Sequence, residues 1–543
     1  MPYLNVRTAP LSAQQATHLL RRATFGPTPA EITVFTGLTP TQAVQQLINN
    51  SSYVTNPPPP LEFDESEPGA GQPFLDKPFN GDRNFWFGIY VKYWWMGQMV
   101  RQDVPLSLLD KLTLFWQNHF VTTRTEVDDY RFVNHYLRLL RTHALGNFRT
   151  FVTEITKCPA MLKYLNGNEN KKGSPNENYA RELQELFTVG NKDYAGNNNY
   201  TEDDVKATAR VLTGWNFTNY WKEGSTSFET TFTSNRHDDT DKTFSTHYSN
   251  TTIPGRSAPT AGDTELTDLV TMLLNHPETP KFICRKLYRW YVNPNVTPEI
   301  EENVIVPLAA FFKSPANDYA IQPVVEKLLI SEVFYEEANR GAIVKSPAEL
   351  IIGSLRFFQQ PLPDMTTEYV AFRKLMEFIY WNSRDMQLEY LDQSSVFGYE
   401  PYYQTGYSKN WINTTTLALR SNFTDALIWR WFEVKPGYKL GIDIIAWVTA
   451  LQPNFSDLNT PAIPCEVVLE GFTKNLFATD LFQTQKDFLI DTIMMMGFSR
   501  ITWQFEWNAY RANPDDEGKR NTILWRTRSL LRYLLRMAEY QVF

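Results

Sequence analysis

Cysteine and histidine are scarce in this chain of 543 residues, which contains three cysteines and seven histidines. The cysteines, Cys158, Cys284 and Cys465, lie far apart and form no Cys-x-x-Cys pair. Because zinc knuckles and disulfide frameworks need closely spaced or evenly paired cysteines, the sequence supports neither. Neither Glu182 nor Glu185 is followed by a histidine at the spacing of carboxylate-bridged di-iron bundles, so a ferritin-like site is excluded.

Three common enzyme motifs are also missing. The chain has no Gly-rich phosphate loop, no Gly-x-Ser-x-Gly elbow and no His-Glu-x-x-His pair. P-loop NTPases, α/β-hydrolases and zincins place their reactive groups with these spacings. Any catalytic site in this chain is therefore of another kind.

Long apolar runs and a surplus of positive charge are absent as well. No apolar stretch approaches the length of a membrane-spanning helix, and the N-terminus lacks the basic and apolar regions of a secretory signal. The formal charge of −8 leaves no basic face of the size that nucleic-acid binding by counterion release needs. The sequence thus predicts no membrane span, no nucleic-acid partner and, as it stands, a cytoplasmic protein.

Aromatic residues, in contrast, make up 14% of the chain, enough both for core packing and for platforms that bind sugars or peptides. Amphipathic periodicity recurs along the sequence and predicts a mainly α fold, a large multi-helix single domain over residues 1–543 with long loops. Within it, the Pro- and Gly-rich stretch 56–82 predicts a loop. Residues 216–262 predict a small β-hairpin or extended insertion, and residues 461–543 predict a C-terminal helical subdomain.

The most informative stretch runs from Ser174 to Gly190. Ser174 suits an N-cap and Gly190 can adopt the left-handed conformation that ends a helix, so one helix is predicted between them. At about 100° per residue, Glu182 falls inside the apolar arc, between Leu186 and Val189. A carboxylate there must find a hydrogen-bond donor, a cation or a metal, or keep its proton.

Two interpretations of Glu182 stay open, because ion-pair networks and active sites both bury carboxylates. Glu182 is either a structural group paired with an arginine or part of a functional site that includes Asn178 and Glu185 on the same strip. Arg21 and Arg22 are candidate counterions. We favour the alternative, in which they interact with the C-terminal dipole of their own helix.

Several stretches closely resemble the signature of a large bacterial family known as domain of unknown function 1800. The matching stretches are Pro175–Gly190, Tyr200–Trp215, His18–Thr28, Phe115–Phe120, Arg236–Asp238 with Lys242, Phe282–Val292, Lys345–Leu350, Trp411–Phe423 and Met537–Gln541. The resemblance covers nearly the whole chain. It implies no settled activity for the family.

The resemblance turns two histidine positions into site candidates. His119 lies on the apolar stripe of a predicted helix, where a lone histidine is usually a core residue. His237 and Asp238 lie at the predicted turn of the insertion, where polar groups are commonly solvated. Family motifs contain all three, so we consider them as ligands. Family members commonly have Asp where this chain has Asn166, and that departure weakens the prediction of a metal.

The predicted site combines these residues with residues of the helix predicted between Ser174 and Gly190. The predicted ligands of a divalent metal are His119, Glu182, Glu185, His237 and Asp238, which suit Zn²⁺, Mn²⁺ or Fe²⁺, or Ca²⁺ or Mg²⁺ through an oxygen-rich subset. The predicted catalytic residues are Glu182, His119 and Arg181, with Arg181 orienting a carboxylate. Without a metal, Glu182 would be a general acid or base. The predicted substrate-binding residues are Asn176, Asn178, Trp411 and Asn413.

Two functions follow as hypotheses. The first is a metal-dependent or carboxylate-based hydrolase or transferase that acts on a glycan or peptide polymer. The alternative is a non-catalytic partner or scaffold. Genes of the family commonly neighbour those of sulfatase-like proteins, so the resemblance implies such a partner. Family members also often carry export signals, which implies a periplasmic or secreted protein where a signal has been removed. A site requires the polar cluster to open onto a cleft, whereas a structural network requires it to be sealed.

Overall fold

The computed structural model describes residues 3–52, 57–404 and 406–543. Its helices in the first half are α1 Ala13–Ala23, α2 Pro29–Phe35, α3 Pro40–Ser51, α4 Asn84–Val100, α5 Leu109–His119, α6 Arg124–Val127, α7 Tyr130–His143, α8 Phe148–Lys157, α9 Pro159–Tyr164, α10 Asn178–Glu182, α11 Glu202–Val211 and α12 Ala261–Asn275. The fold is mainly α, as predicted, and several helices begin at capping boxes that the sequence supplies, for example at Ser12, Thr201 and Ser346.

The remaining helices continue the same architecture. They are α13 Glu278–Tyr291, α14 Pro298–Ile300, α15 Val306–Lys313, α16 Ile321–Leu329, α17 Pro347–Phe357, α18 Tyr369–Asp385, α19 Thr414–Trp429, α20 Ile444–Leu451, α21 Cys465–Thr473, α22 Gln483–Asp487, α23 Arg500–Ala512, α24 Glu517–Leu534 and α25 Ala538–Gln541. Three π-helical segments interrupt or extend them, at Leu183–Thr188, Glu301–Ile305 and Phe488–Met494. Helices α20 to α25 include the predicted C-terminal subdomain, whose boundaries stay a prediction.

The strands form small antiparallel pairs. They are β1 Trp215–Phe217 with β2 Thr230–Phe232, β3 Lys242–Thr243 with β4 Thr252–Ile253, and β5 Phe432–Lys435 with β6 Tyr438–Leu440. Two of these pairs lie in the predicted insertion, and the register of the first places Asn216 opposite Thr231. The polar segment at His237 differs from the prediction, because it connects β2 to β3 and therefore joins two hairpins instead of forming one hairpin tip.

The core is rich in aromatic side chains, and α5 runs through it. This helix packs against α4 and α7, where Trp94, Trp95 and Trp116 are fully buried. Its buried polar side chains include Lys111 in its first turn and His119 at its end. Polar side chains at both ends of the buried helix α5 must find partners brought from distant parts of the chain.

The predicted loop 56–82 has no helix or strand in its described part, 57–82. Residue 56 lies outside the described residues. Leu61 and Phe63 are buried, and Arg83 forms an ion pair of 2.7 Å with the buried Glu62. The loop is therefore packed on the helical body along much of its length. No described helix combines the length and the hydropathy that crossing a membrane requires.

Candidate functional site

The helix predicted between Ser174 and Gly190 begins later than the sequence predicts. Its first residue is Asn178, and the turn before it is closed by Asn176, whose side-chain oxygen accepts the backbone N–H of Asn178 at 2.9 Å. Asn176 itself is held by Asn170, whose side-chain oxygen accepts its N–H at 2.9 Å. An Asx turn thus replaces the predicted cap at Ser174. Asn176, a predicted substrate-binding residue, is used by the backbone, whereas the side chain of Asn178 is exposed.

After Glu182 the helix widens into the π segment Leu183–Thr188. The backbone N–H groups of Val189 and Gly190 both donate to the carbonyl of Gln184, at 3.0 and 2.9 Å. The wider turn changes which side chains face the core. Gln184 and Thr188 lie on the polar face of an ideal α-helix, yet both are fully buried. Single π turns inside helices are frequent at functional sites.

Glu182 is half-buried and receives no hydrogen bond from any of the described residues. Burial and, after it, the charge of Glu185 raise the pKa of its carboxyl from 4.5 to about 7, while the charge of Arg181 opposes the shift. A carboxyl with this pKa exchanges its proton near neutral pH. Glu182 is thus neither the structural, arginine-paired carboxylate nor fully sealed.

Glu185 lies one turn further along and differs from Glu182 in its contacts. Its carboxylate accepts a hydrogen bond of 2.7 Å from the hydroxyl of Tyr200. Burial raises the pKa of the Tyr164 hydroxyl to about 12, and the charges of Glu126, Glu182 and Asp392 act in the same direction. We call Asn178, Glu182, Glu185, Tyr164 and Tyr200 the carboxyl strip.

Arg181, predicted to orient a substrate carboxylate, pairs within the protein. Its guanidinium donates to both carboxylate oxygens of Glu202, at 2.7 and 2.8 Å, and to Glu177 at 3.3 Å. The bidentate contact with Glu202 connects α10 to α11. A role of Arg181 in substrate binding stays a prediction.

His119 is 2% exposed and both ring nitrogens are occupied. Its Nε2 donates to the carbonyl of Phe187 at 3.0 Å, and its Nδ1 accepts from the Lys286 ammonium at 2.9 Å. Burial lowers the pKa of the imidazole well below its usual value, and the charge of Lys286 lowers it further. The ring packs against aromatic side chains, including Phe115 and Phe120. In this structure His119 connects α5, the π segment and α13.

Lys286, which we did not single out in the sequence, has no carboxylate partner among the described residues. Burial lowers its pKa from 10.5 to about 7, and Arg289 contributes in the same direction. Its polar contacts are the imidazole of His119 and the ring of Phe282, 5.0 Å from its amine. The only sequence signal is a basic residue within the apolar stretch Phe282–Val292, and nothing there identifies His119 as its neighbour.

His237 belongs to a second buried network. Its Nδ1 lies 2.9 Å from the carbonyl oxygen of Thr213, and its Nε2 lies 3.2 Å from Glu265, although not aligned for a hydrogen bond. Glu265 also pairs with Lys242 at 2.5 Å. The side chains of His237, Glu265 and Lys242 are fully sealed from solvent. We call these three residues the His237 network.

Asp238, the other half of the predicted His-Asp pair, has different side-chain partners from His237. It accepts hydrogen bonds from Arg210, at 3.0 Å, and from Thr240, at 2.6 Å. Although burial alone would raise it, these contacts hold the pKa of Asp238 below its usual range. The pair therefore anchors the connection between the two hairpins at two separate points.

The predicted aromatic substrate platform is also packed. Trp411 is fully buried and meets the ring of Tyr402 edge-on at 5.4 Å. The side-chain oxygen of Asn413 accepts the backbone N–H of Thr416 at 2.9 Å and caps α19. Both side chains hold the loop before α19 in place, and a substrate contact by either stays a prediction.

The structure distributes the predicted metal ligands over separate places. Glu182 and Glu185 lie on the carboxyl strip, His119 bonds to Lys286, and His237 and Asp238 have their own partners. Within residues 3–52, 57–404 and 406–543, no three His, Cys, Asp or Glu side chains form a group that could hold a metal ion. A metal at these residues stays a prediction without geometric support.

The unusual pKa of Glu182 gives a testable consequence for stability. Folding raises this pKa from 4.5 to about 7, so the stability it provides is complete below pH 4.5 and is lost as the pH rises through 7. Glu182→Gln removes this dependence. We expect the variant to match the wild type at pH 4 and to be more stable at pH 8 by about 1–2 kcal/mol, allowing for solvent screening of a half-buried group. Urea unfolding at both pH values measures the difference, and the exposed Glu302→Gln serves as a control that should show none.

Comparison with known proteins agrees with the motifs quoted from the sequence. The family model described as "Protein of unknown function (DUF1800)" matches residues 18–542. No curated protein and no solved structure matches the chain. The chain therefore belongs to the DUF1800 family.

Proposed function

We propose that this protein is a carboxylate-based hydrolase or transferase in which Glu182 is the general acid. One observation carries the proposal: a half-buried carboxyl group that has a pKa of about 7 and no hydrogen-bond donor in the part of the chain that the structure describes. Catalytic acids need a pKa near the working pH, and proteins obtain it by burial and by a neighbouring like charge. Both causes act on Glu182.

Other buried glutamates of this chain differ from Glu182, because each of them has a cation as its partner. Glu265 pairs with Lys242, Glu349 pairs with Lys111, and Glu301 accepts from Arg285 at 2.6 Å. These are structural carboxylates with a cation in contact. A carboxylate left without such a partner costs stability, and groups of this kind cluster at functional sites.

Two carboxylates in different surroundings divide the chemistry between them. Glu182 would protonate the leaving group as the bond to it breaks. Glu185, which accepts a hydrogen bond from Tyr200, would take the proton of the attacking water or hydroxyl, whose oxygen forms the new bond. Transfer to water gives hydrolysis, and transfer to another hydroxyl or amine gives a transferase.

The position of the carboxyl strip favours a polymer as substrate. The larger open cavities, of about 470 and 630 Å³, lie elsewhere, next to His276 and next to Lys474. The strip instead lies at the surface, with the exposed amide of Asn178 one turn before Glu182. A glycan or peptide chain can lie along such a strip, because its amide and hydroxyl groups match the Asn178 and Tyr164 side chains.

The test is a screen of purified protein against bacterial envelope glycans and peptides, with release of reducing ends or amines as the measurement. We expect wild-type protein to cleave or transfer at least one of these polymers, and Glu182→Gln to lose that activity. Asp203→Asn, an exposed carboxylate on the neighbouring α11, is the matched control and should remain active. An activity that survives in Glu182→Gln would contradict the proposal.

A second candidate function, a non-catalytic partner of a sulfatase-like protein, is favoured by a separate observation. Large apolar side chains are exposed around α23 and α24, and these are Phe482, Phe498, Ile501, Phe505 and Trp525. Ile501 and Phe505 are one helical turn apart, and Arg526 lies over the ring of Phe498. Soluble monomers rarely expose apolar patches of this kind without a partner.

The partner hypothesis predicts a complex that this apolar face controls. Mixing the protein with a sulfatase-like protein of the kind whose genes neighbour those of the family should give a complex in analytical ultracentrifugation, and Phe505→Ser should weaken it at least tenfold, because buried aromatic anchors dominate interfaces. Trp431→Ser removes an exposed aromatic side chain outside this face and is the control. Equal affinity for wild type and Phe505→Ser would place the interface elsewhere.

A further inference from the structure

Several of the stretches that resemble the family lie far apart in the sequence and meet at one small cavity. Its lining includes Arg21 and Phe25 of the stretch His18–Thr28, Lys345 and Glu349 of Lys345–Leu350, and Tyr540 near the C-terminus. The cavity has a volume of about 30 Å³. Since a water needs about 10–15 Å³, there is room for a compact group and not for a nucleotide or a sugar.

The charged side chains that line this cavity are two cations, Arg21 and Lys345, and one carboxylate, Glu349. Lys345 is 7% exposed, and its ammonium donates to the carbonyl of Tyr540 at 2.6 Å and lies 4.0 Å from the centre of that ring. Arg21 is half-buried and donates through one nitrogen to the carbonyls of Asn475 and Leu476. Its other terminal nitrogen is buried and has no hydrogen-bond partner among the described residues. Neither cation touches a carboxylate.

Further cations lie directly behind these two. Arg420 is fully buried and donates to the carbonyl of Lys345 at 2.7 Å. Arg22 is fully buried as well and bonds to the carbonyls of Val292, at 3.0 Å, and Asn339, at 2.6 Å. Arg420 also donates to the side-chain oxygen of Gln541 at 3.2 Å, and neither arginine has a carboxylate partner among the described residues, so they add positive charge to the cavity without bringing a counterion.

The one carboxylate that lines the cavity is already engaged. Glu349 pairs with the buried Lys111 through one oxygen and accepts the backbone N–H of Ser346 at 2.6 Å through the other. The capping box of α17 and the ion pair thus use both oxygens. Arg21, Arg22, Lys345 and Arg420 are thus basic side chains without a carboxylate partner among the described residues.

We propose that this cavity binds the anionic group of a small ligand, a carboxylate, phosphate or sulfate group, between Arg21 and Lys345. The free terminal nitrogen of Arg21 and the remaining N–H groups of the Lys345 ammonium are the donors that contact it. Arginine and lysine are the usual donors to such oxyanions. The ring of Tyr540 and Phe25 form the apolar walls.

Burial supports this assignment through the protonation of the two donors. It lowers the pKa of Lys345 well below its usual value, with the charges of Arg21 and Arg420 acting in the same direction. It also lowers the pKa of Arg21 to about 10. A bound anion reverses both effects, because an opposite charge favours the charged form. The assignment is independent of the carboxyl strip and does not rest on the proposed enzyme activity.

The experiment is isothermal titration calorimetry of the full chain with inorganic phosphate, sulfate and acetate at constant ionic strength in chloride. We expect saturable one-site binding of at least one of the three, and the pattern among them distinguishes a phosphate or sulfate site from a carboxylate site. Lys345→Met and Arg21→Met should each weaken binding at least tenfold. Arg149→Met removes a partly exposed arginine paired with Asp318 and should bind as the wild type does.

Thermal unfolding keeps the test valid where a variant changes stability. The anion should raise the Tm of the wild type with increasing concentration, and it should raise the Tm of Lys345→Met and Arg21→Met far less. Lys345→Met itself should remain folded, because it removes a buried cation that has no carboxylate partner. Absence of saturable binding for all three anions, or equal binding by wild type and both variants, would overturn the proposal.

Discussion

Replacing Glu265 with alanine is expected to destabilise the protein by about 3–5 kcal/mol, the usual consequence of leaving a buried charge unpaired. Glu265 is fully buried, contacts Lys242 at 2.5 Å and accepts the backbone N–H of Arg256 at 2.8 Å. The variant leaves the Lys242 ammonium in the core with a backbone carbonyl as its remaining partner. Urea unfolding at pH 7 measures the loss.

Two further variants separate the charge from the packing. The double variant Glu265→Leu with Lys242→Met removes both charges and keeps most of the volume, so it should recover much of the lost stability. The exposed Glu302→Ala should change stability by no more than about 0.5 kcal/mol. A loss below about 1 kcal/mol in Glu265→Ala would contradict an ionised, paired network.

The Arg-His-Asp stretch, residues 236–238, also contacts the loop that leads to the carboxyl strip. Arg236 donates to the carbonyl of Asn168 at 3.1 Å, and its own carbonyl accepts the N–H of Lys172 at 2.7 Å. Both partners belong to the loop that enters α10. The insertion therefore positions the helix that carries Glu182, so a stability defect at Glu265 should be accompanied by displacement of that helix.

The mainly α fold was predictable because amphipathic periodicity and capping boxes are local signals. The sequence did not reveal which side chains of the helix that contains Glu182 face the core. An ideal α-helix places Gln184 on the polar face, whereas the π segment turns it inward, where it accepts from the Tyr248 hydroxyl at 2.6 Å and donates to Thr208 at 3.2 Å. Those partners lie 64 and 24 residues away in the chain, so no local pattern reveals the extra residue in the turn.

For the hairpin of β5 and β6, in contrast, the sequence does contain a local signal of a turn. Pro436 and Gly437 separate two short runs that are rich in aromatic and β-branched residues. A Pro-Gly pair between such runs is a turn signal, and Gly437 adopts a positive φ of 79°.

Long-range pairings decided which site residues the sequence could identify. The partly buried position of Glu182 could be predicted because it depends on the residue's own helix, whereas its role in a site stays a prediction. The partners of His119 and His237 could not be predicted, since Lys286 is 167 residues from His119 and Glu265 lies on an apolar face of α12. The convergence of His119, His237 and Glu182 was inferred from shared motifs. Such motifs contain residues that fix the fold as well as residues that react.

Glu182→Gln is expected to lower kcat/KM on the polymer found in the screen by about 10²–10⁴-fold, the usual contribution of a positioned general acid. The wild-type kcat/KM should fall as the pH rises through about 7, because Glu182 must carry its proton to act as the acid. In Glu182→Gln the residual activity should lack this limb. A limb at pH 7 that persists in Glu182→Gln, or a loss below tenfold, would contradict the assignment.

Glu185→Gln provides a test that a merely structural role of Glu182 does not mimic. The charge of Glu185 is, after burial, the second cause of the raised Glu182 pKa. Removing that charge should shift the descending limb of the residual activity to lower pH, since Glu182 then loses its proton more easily. Tyr200→Phe removes the hydroxyl donor and leaves the Glu185 carboxylate in place, so its limb should stay closer to that of the wild type. A limb that does not move in Glu185→Gln would mean that the two carboxyl groups do not act as a pair.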